Sequence, residues 1–259
     1  MVAPYCPGFC CRHADNGGPI GKGAGANNYP LRGGKYSNFE GGIRSVAFVS
    51  GGIVPMAMRG SKNLDPVHIA DWYATFAAMA GVDPTDAAAA KAGLPAVDGV
   101  DLWPRLSGST RAPARHEIYG DGLYSSYGYL VNGSHKLILG ERPSTAFAVW
   151  TGPQNPNSTY RNSSSGGNPM AWNCSACTPP VVLGTINCTG GCLYNVVDDP
   201  SELVELSTSL PAVKTALLER LLFLINTTAF NPDRGTEDPR ACEVGIAKYS
   251  GFWGPFAYL

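Results

Sequence analysis

From Asp15 to Lys35 the chain reads DNGGPIGKGAGANNYPLRGGK, with seven glycines and two prolines. Regular structure does not survive that density of residues that loosen or break it, so this stretch is an irregular surface loop. Such loops are where site residues are usually carried. The same bias runs through the rest of the sequence. It holds 32 Gly and 21 Pro in 259 residues, and only 15% of residues are charged. That excludes a helical bundle or a coiled coil and predicts many turns. Hydrophobic residues at 44% still supply a core. A formal net charge of −1 leaves no electrostatic footprint for nucleic acid, and no polybasic run for anionic membranes.

Elements are read between the turns. Ser45 to Val49 is a short apolar run bounded by Arg44 and Gly51-Gly52, predicting a buried strand of a parallel sheet. Asp65-Pro66 carries a helix-opening signal, with Asp as N-cap and Pro at the first helical position. Ile69, Trp72, Tyr73, Phe76 and Ala80 follow at helical spacing, and Gly81 is the natural stop. Ala87 to Ala92 reads as a second short helix. Residues 104 to 116 turn to loop composition and mark a domain boundary. Tyr127 to Val131 and Lys136 to Leu139 flank Asn132-Gly133, a hairpin signal. From Ser209-Leu210-Pro211 a helix runs through Leu217, Leu218, Leu221, Leu222 and Ile225, with an apolar face broad enough to pack on a sheet. No run of about 18 apolar residues predicts a membrane span.

Eight cysteines stand at 6, 10, 11, 174, 177, 188, 192 and 242. Asn-x-Ser/Thr sequons occur at Asn132, Asn157, Asn162, Asn173, Asn187 and Asn226, against about two expected by chance. The excess points to the secretory pathway, extracellular or lysosomal, where cysteines pair as disulfides. The spacing Cys174-x-x-Cys177 with Cys188-x-x-x-Cys192 also suits a zinc site, the second reading of these four. Residues 151 to 180 are rich in Asn, Ser, Gly and Pro and read as a glycosylated surface insertion. Residues 1 to 20 lack the basic start and apolar run of a signal peptide. A secretory body with that opening is expected to be part of a longer protein.

Candidate chemistry clusters on the Gly-rich loop. Asp15 and Asn16 at its head are hard oxygen donors suited to Ca²⁺, with Mg²⁺ the lesser alternative. Asp-Asn-Gly is equally ordinary turn chemistry, and two donors fall short of the six to eight or so oxygens that Ca²⁺ takes. Lys35 ends the loop, with Arg32 three residues before it. A lysine beside a metal suits a tetrahedral oxyanion. Taken singly, it is an ordinary solvated surface residue. Glu40 and Arg44 are spaced to pair across a turn.

The ordered motifs are specific where the single residues are not. Asp15-Asn16-Gly17-Gly18, Asn28 through Lys35 (NYPLRGGK), and Glu40-Gly41-Gly42-Ile43-Arg44 follow one another. His68-Ile69-Ala70-Asp71-Trp72 and Asp98-Gly99-Val100-Asp101-Leu102-Trp103 come next. Leu193-Tyr194-Asn195, Asp199-Pro200-Ser201-Glu202, Asp238-Pro239-Arg240-Ala241-Cys242 and Phe252-Trp253-Gly254-Pro255 complete the series. Together they resemble the sulfatase family in its arylsulfatase B-like branch, over nearly the whole chain from residue 15.

The resemblance implies an α/β fold. Residues 15–110 would be the C-terminal segment of the alkaline phosphatase-like, mixed-sheet catalytic domain. Residues 111–259 would be a smaller α+β domain with an antiparallel sheet, and residues 1–14 a divergent or mispredicted start. It implies calcium-dependent hydrolysis of sulfate esters, with an aryl sulfate or a sulfated glycan as substrate. The nucleophile would be a formylglycine made in a C-x-P-S-R type motif. Asp15 and Asn16 match two of the family's metal ligands, and Lys35 matches a lysine that contacts the sulfate; Arg32 is a further substrate-binding candidate. The cysteine matching Cys242 bridges elsewhere in the family pattern, so Cys242 is expected unpaired here.

The sequence departs from the pattern in two places. No C-x-P-S-R motif occurs: Cys177-Thr178-Pro179 has Val181 where Arg is needed, and Ser107 to Arg111 has Ser109 in place of Pro or Ala. Before Asp15, Pro, Gly and Arg interrupt what should be an apolar strand, and His13 reads as incidental. The expectation is therefore a chain that lacks its nucleophile and is inactive alone. Two alternatives stand beside it: a non-catalytic secreted glycoprotein that binds sulfated glycans, and a related phosphodiesterase or phosphonate hydrolase.

Overall fold

The computed structural model describes residues 9–20, 26–120, 127–140, 187–228 and 240–252. The sequons at Asn157, Asn162 and Asn173, and Cys174 and Cys177, lie outside the described residues. The chain divides into two compact units, Met1–Ala229 and Phe230–Leu259.

In chain order the first unit runs β1 (Phe9–His13), α1 (Glu40–Ile43), β2 (Ala47–Gly51), a 3₁₀ turn (Met56–Met58), α2 (Asp71–Met79), α3 (Ala87–Lys91) and α4 (Trp103–Leu106). It continues with β3 (Glu117–Gly120), β4 (Gly128–Asn132), β5 (His135–Leu139), β6 (Cys192–Asn195) and α5 (Pro211–Thr227).

Strands β3, β4, β5 and β6 form an antiparallel sheet in that order. The hairpin expected from Asn132-Gly133 forms one position later. Asn132 still pairs with His135, and Gly133-Ser134 make the turn, with Gly133 at φ +59°. The two faces of the sheet bury different things. Leu130, Leu137, Leu139 and Leu193 pack against Leu217, Leu221, Leu224 and Ile225 of α5. Burying each such side chain contributes about 2 kcal/mol, which makes α5 the main support of that face. The opposite face carries Ile138, Cys192 and Tyr194, which cluster with Phe39. It thereby receives the end of the Gly-rich loop.

The same alternation that sends Leu137 toward α5 sends Lys136 to the loop side, because neighbouring strand residues point to opposite faces. Lys136 is completely buried. Its Nζ lies 3.0 Å from Glu40 Oε1 and 2.9 Å from Glu202 Oε1. Glu40, expected to pair with Arg44, does so at 3.6 Å, but its partner in the interior is Lys136.

A second buried pair sits at α2. Asp71 is fully buried and receives the guanidinium of Arg115, whose Nε lies 3.0 Å and 2.9 Å from its two carboxylate oxygens. The backbone N–H groups of His68 and Val100 donate to the same carboxylate. Thr75 Oγ1 donates to the Asp71 carbonyl and accepts from Leu102 N. The His68 to Trp72 and Asp98 to Trp103 motifs are thus one another's hydrogen-bond partners. Both ion pairs cross the division expected near residue 110.

The structure corrects several expectations. The apolar run at 45–49 is not a buried parallel strand: β2 pairs antiparallel with β1, Arg12 opposite Phe48, and Phe48 is exposed. Among the described residues no further layer covers this ribbon. Asp65-Pro66 does not open a helix. The Asp65 carboxylate is taken by Arg105, and α2 begins at Asp71. Its buried residues are Asp71, Trp72, Ala74 and Thr75, whereas Ile69, Tyr73 and Phe76 are exposed. The loop at 104–116 is interrupted at its start by α4, with Pro104 in the first turn. The Ala-rich helix forms as expected, capped by Asp86 Oδ1 accepting from Ala89 N at 2.8 Å.

Cys188 and Cys192 form a disulfide, so these two cysteines are not the zinc ligands of the second reading. The second unit contains α6 (Arg240–Tyr249), and Cys242 on it is an exposed free thiol. No helix among the described residues is long and apolar enough to cross a membrane.

Candidate active-site loop

The Gly-rich loop is held by backbone rather than by side-chain packing. Gly17 N donates to Gly42 O at 2.8 Å, Lys35 N to Gly18 O at 3.2 Å, and Gly41 N to Arg32 O at 2.6 Å. Chain segments this close leave no room for side chains. A Cβ at Gly34 would lie 2.6 Å from Gly18 O, and one at Gly42 2.6 Å from Gly34 O. Glycine is required at these positions by approach, not by turn geometry.

Asn28 ties the crossing together. Its Oδ1 accepts from Gly18 N at 3.0 Å, and its Nδ2 donates to Gly18 O at 2.9 Å and Gly33 O at 3.0 Å. One side-chain amide thereby mimics a strand partner for Gly18 and binds the segment before Lys35 to the segment after Asn16. The sequence shows Asn28 within a motif but gives no sign of this role.

Asp15 is exposed and Asn16 half-buried. Asn16 Nδ2 donates to Asp15 Oδ2 at 2.8 Å, which leaves Asp15 Oδ1 and Asn16 Oδ1 as oxygen donors. In kind these fit a hard cation such as Ca²⁺; in number they supply two of its ligands. Among the described residues no group of three or more His, Cys, Asp or Glu is placed to hold a metal. Lys35 is half-buried, and its Nζ lies 5.5 Å from the centroid of the Tyr36 ring.

Arg32 is drawn elsewhere. It is only 5% exposed, its guanidinium stacks 4.0 Å over the Phe39 ring, and Nη1 donates to Glu202 O at 3.1 Å. That geometry makes it a support of the loop. The Asp199-Pro200-Ser201-Glu202 motif is the other support. Ser201 Oγ donates to Pro30 O at 2.7 Å, and Glu202 Oε2 accepts from Glu40 N at 2.7 Å. Burial and the nearby Glu40 push the Glu202 carboxyl up from its usual value, and Lys136 opposes them. Burial likewise pushes the Tyr194 phenol up to about 12. His68 is held below its usual value, first by burial and then by Arg115.

The three exposed sequons among the described residues differ in setting. Asn132 ends a strand, and Asn226 lies on α5. Asn187 accepts from Thr189 N at 3.0 Å in a tight turn beside the disulfide.

The loop is locked by close-packed glycines and supported from a small antiparallel sheet. The chain is homologous to the C-terminal part of sulfatases, and its fold is similar to the part of sulfatase structures that it covers. It is 30% identical to mouse arylsulfatase J over 261 aligned positions, covering 94% of this chain and 38% of that protein. It is 35% identical to mouse steryl-sulfatase over 141 positions, 53% of this chain and 19% of that one. The chain therefore spans well under half the length of these relatives.

Among solved structures, the 6S-sulf protein of the Bacteroides thetaiotaomicron glycosaminoglycan locus superposes with a TM-score of 0.52 at 22% identity. That match covers 84% of this chain and 38% of the other. Ps i-CgsB gives 0.56 at 20%, covering 94% and 42%, and has also been solved with k-i-k-neocarrahexaose. No protein-family model matches the chain.

Proposed function

We propose that this chain forms the C-terminal part of a sulfuric ester hydrolase of the arylsulfatase B-like branch, and that it contributes half of the active site. Asp15 and Asn16 are two ligands of a Ca²⁺ ion, and Lys35 contacts the sulfate. The observation that carries this reading is the 3.2 Å bond from Lys35 N to Gly18 O, reinforced by Asn28. It fixes the segment bearing the oxygen donors against the segment bearing the cation.

Each side chain has a distinct part. The Lys35 ammonium neutralises the sulfate and the charge that develops on the departing oxygen. Asp15 and Asn16 supply anionic and neutral oxygen to the cation, whose chemistry when bound is Lewis-acid polarisation of sulfate oxygens. Arg32 and Glu202 hold the loop rigid, so that Lys35 is presented without an entropic cost at each encounter. The formylglycine nucleophile comes from outside these 259 residues, and the chain alone turns nothing over. The protein belongs to the secretory pathway, extracellular or lysosomal, with Asn132, Asn187 and Asn226 as exposed glycan acceptors.

A second reading is favoured by the missing C-x-P-S-R motif: a secreted module that retains sulfated glycans through Lys35 without hydrolysis. Assay of the purified chain with a chromogenic aryl sulfate and Ca²⁺ tests the absence of turnover. Product formation by the 259-residue chain would overturn that absence.

A further inference from the structure

Tyr36 follows Lys35 and adopts φ +78°, a left-handed conformation that side chains other than Gly and Asn rarely take. The cause is local. Ser37 N donates to Gly34 O at 3.0 Å, closing a four-residue turn in which Lys35 and Tyr36 are the two corner residues. A positive φ at the second corner defines a type II turn, where glycine is the favoured residue. The turn is anchored at both ends, because Gly34 and Ser37 are buried and the Lys35 N–H donates to Gly18 O at 3.2 Å. The chain thus keeps a large aromatic residue at a corner where glycine would fold with less strain. Backbone strain of this kind clusters at ligand-binding and catalytic sites.

The ring is positioned for use. Tyr36 is 62% exposed, and Lys35 Nζ lies 5.5 Å from its centroid. A cation and an exposed aromatic face are presented side by side on one rigid corner. A sulfate ester carried on a ring has the complementary chemistry, with an anionic group for the ammonium and a flat, weakly polar face for the phenol ring.

We propose that Tyr36 is a specificity-determining residue: its ring stacks on the sugar or aryl ring that bears the sulfate, while Lys35 holds the sulfate itself. This rests on the reading of Lys35 as the sulfate contact and extends it from the anion to the group that carries the anion.

The test uses the 259-residue chain and four probes: inorganic sulfate, galactose 6-sulfate, galactose and 4-nitrophenyl sulfate. Affinities come from NMR shift titration, with melting temperatures measured in parallel. Tyr36→Asn removes the ring but suits the left-handed backbone. It should weaken galactose 6-sulfate or 4-nitrophenyl sulfate at least five-fold, leave inorganic sulfate unchanged, and give a melting temperature no lower than wild type. Tyr36→Phe should keep the wild-type affinities. Which ring-borne sulfate loses more identifies sugar or aryl as the natural partner.

A Tyr36→Asn chain that binds both ring-borne sulfates as wild type does overturns the proposal. So does one that loses inorganic sulfate and stability together, which marks a purely structural residue. If Lys35→Ala leaves every affinity unchanged, or galactose binds as well as galactose 6-sulfate, the sulfate reading of the loop fails first and takes the proposal with it.

Discussion

Lys136 and Glu40 meet in the interior at 3.0 Å, 96 positions apart in sequence, where the antiparallel sheet touches the Gly-rich loop. Glu202 lies 2.9 Å from the same ammonium. One buried cation faces two carboxylates, and all three are almost completely shielded from water. This contact joins the support of the loop to the core of the fold.

Removing the cation should therefore be severe. Lys136→Met leaves two buried carboxylates facing each other without compensation. Losing one partner of a buried pair costs about 3–5 kcal/mol. Urea denaturation should show a loss of that order, with the chain near unfolding under native conditions. A loss below about 1 kcal/mol would mean that Lys136 is not the centre of the network.

Glu202 makes the network depend on pH. Its folded value is raised above the usual 4.5, first by burial and then by Glu40. A group whose folded value is raised stabilises the fold below its unfolded value, and that contribution is lost as pH rises through the raised one. Wild type should lose stability relative to Glu202→Gln as pH climbs from 4.5 toward neutrality. Denaturation midpoints of both proteins across that range check this, and a constant difference between them would contradict it.

The glycines at the backbone crossing, Gly17, Gly34, Gly41 and Gly42, should tolerate no side chain. At Gly41 a Cβ would lie 2.5 Å from Arg32 O, a backbone atom pinned by the 2.6 Å bond from Gly41 N. Gly41→Ala should cost about 1–3 kcal/mol, typical of overpacking in a rigid setting. Amide exchange at Lys35 and Gly17 should accelerate with it. Gly190→Ala is the control, because its backbone is not left-handed and its added carbon would meet only Lys214 Nζ, at 4.0 Å.

These contacts show which parts of the fold could be read in the sequence. Helix α5, the Ala-rich α3 and the β4–β5 hairpin depend on period and turn chemistry, which are local, and each forms close to its expected place. Strand β1 was hidden because Cys-Cys-Arg-His carries no apolar alternation; its partner β2 supplies the register. Helix α2 starts at Asp71 and not at Asp65, because Asp65 gives its carboxylate to Arg105, forty residues away, instead of to a helix end.

The candidate site divides in the same way. Asp15, Asn16 and Lys35 stand out through ordered motifs. Asn28 and Glu202 also lie in those motifs, but nothing in the sequence shows their supporting role, and Lys136 lies in none of them. A lysine in a strand reads as solvent-facing, and only the fold reveals that its carboxylates come from residues 40 and 202. Arg32 stands three residues before Lys35 in the sequence, but Phe39 and the Glu202 carbonyl draw it inward.

The central claim is that Lys35 and the Asp15-Asn16 pair form part of one sulfate-and-cation site. Calorimetric titration of the chain with galactose 6-sulfate, with and without Ca²⁺, tests it most directly. A cation and an anion in contact within one site attract, and linkage makes each raise the other's affinity by the same factor. The account predicts binding several-fold tighter with Ca²⁺, with the gain lost in both Lys35→Ala and Asp15→Ala. Binding that ignores Ca²⁺ and survives both substitutions would contradict it.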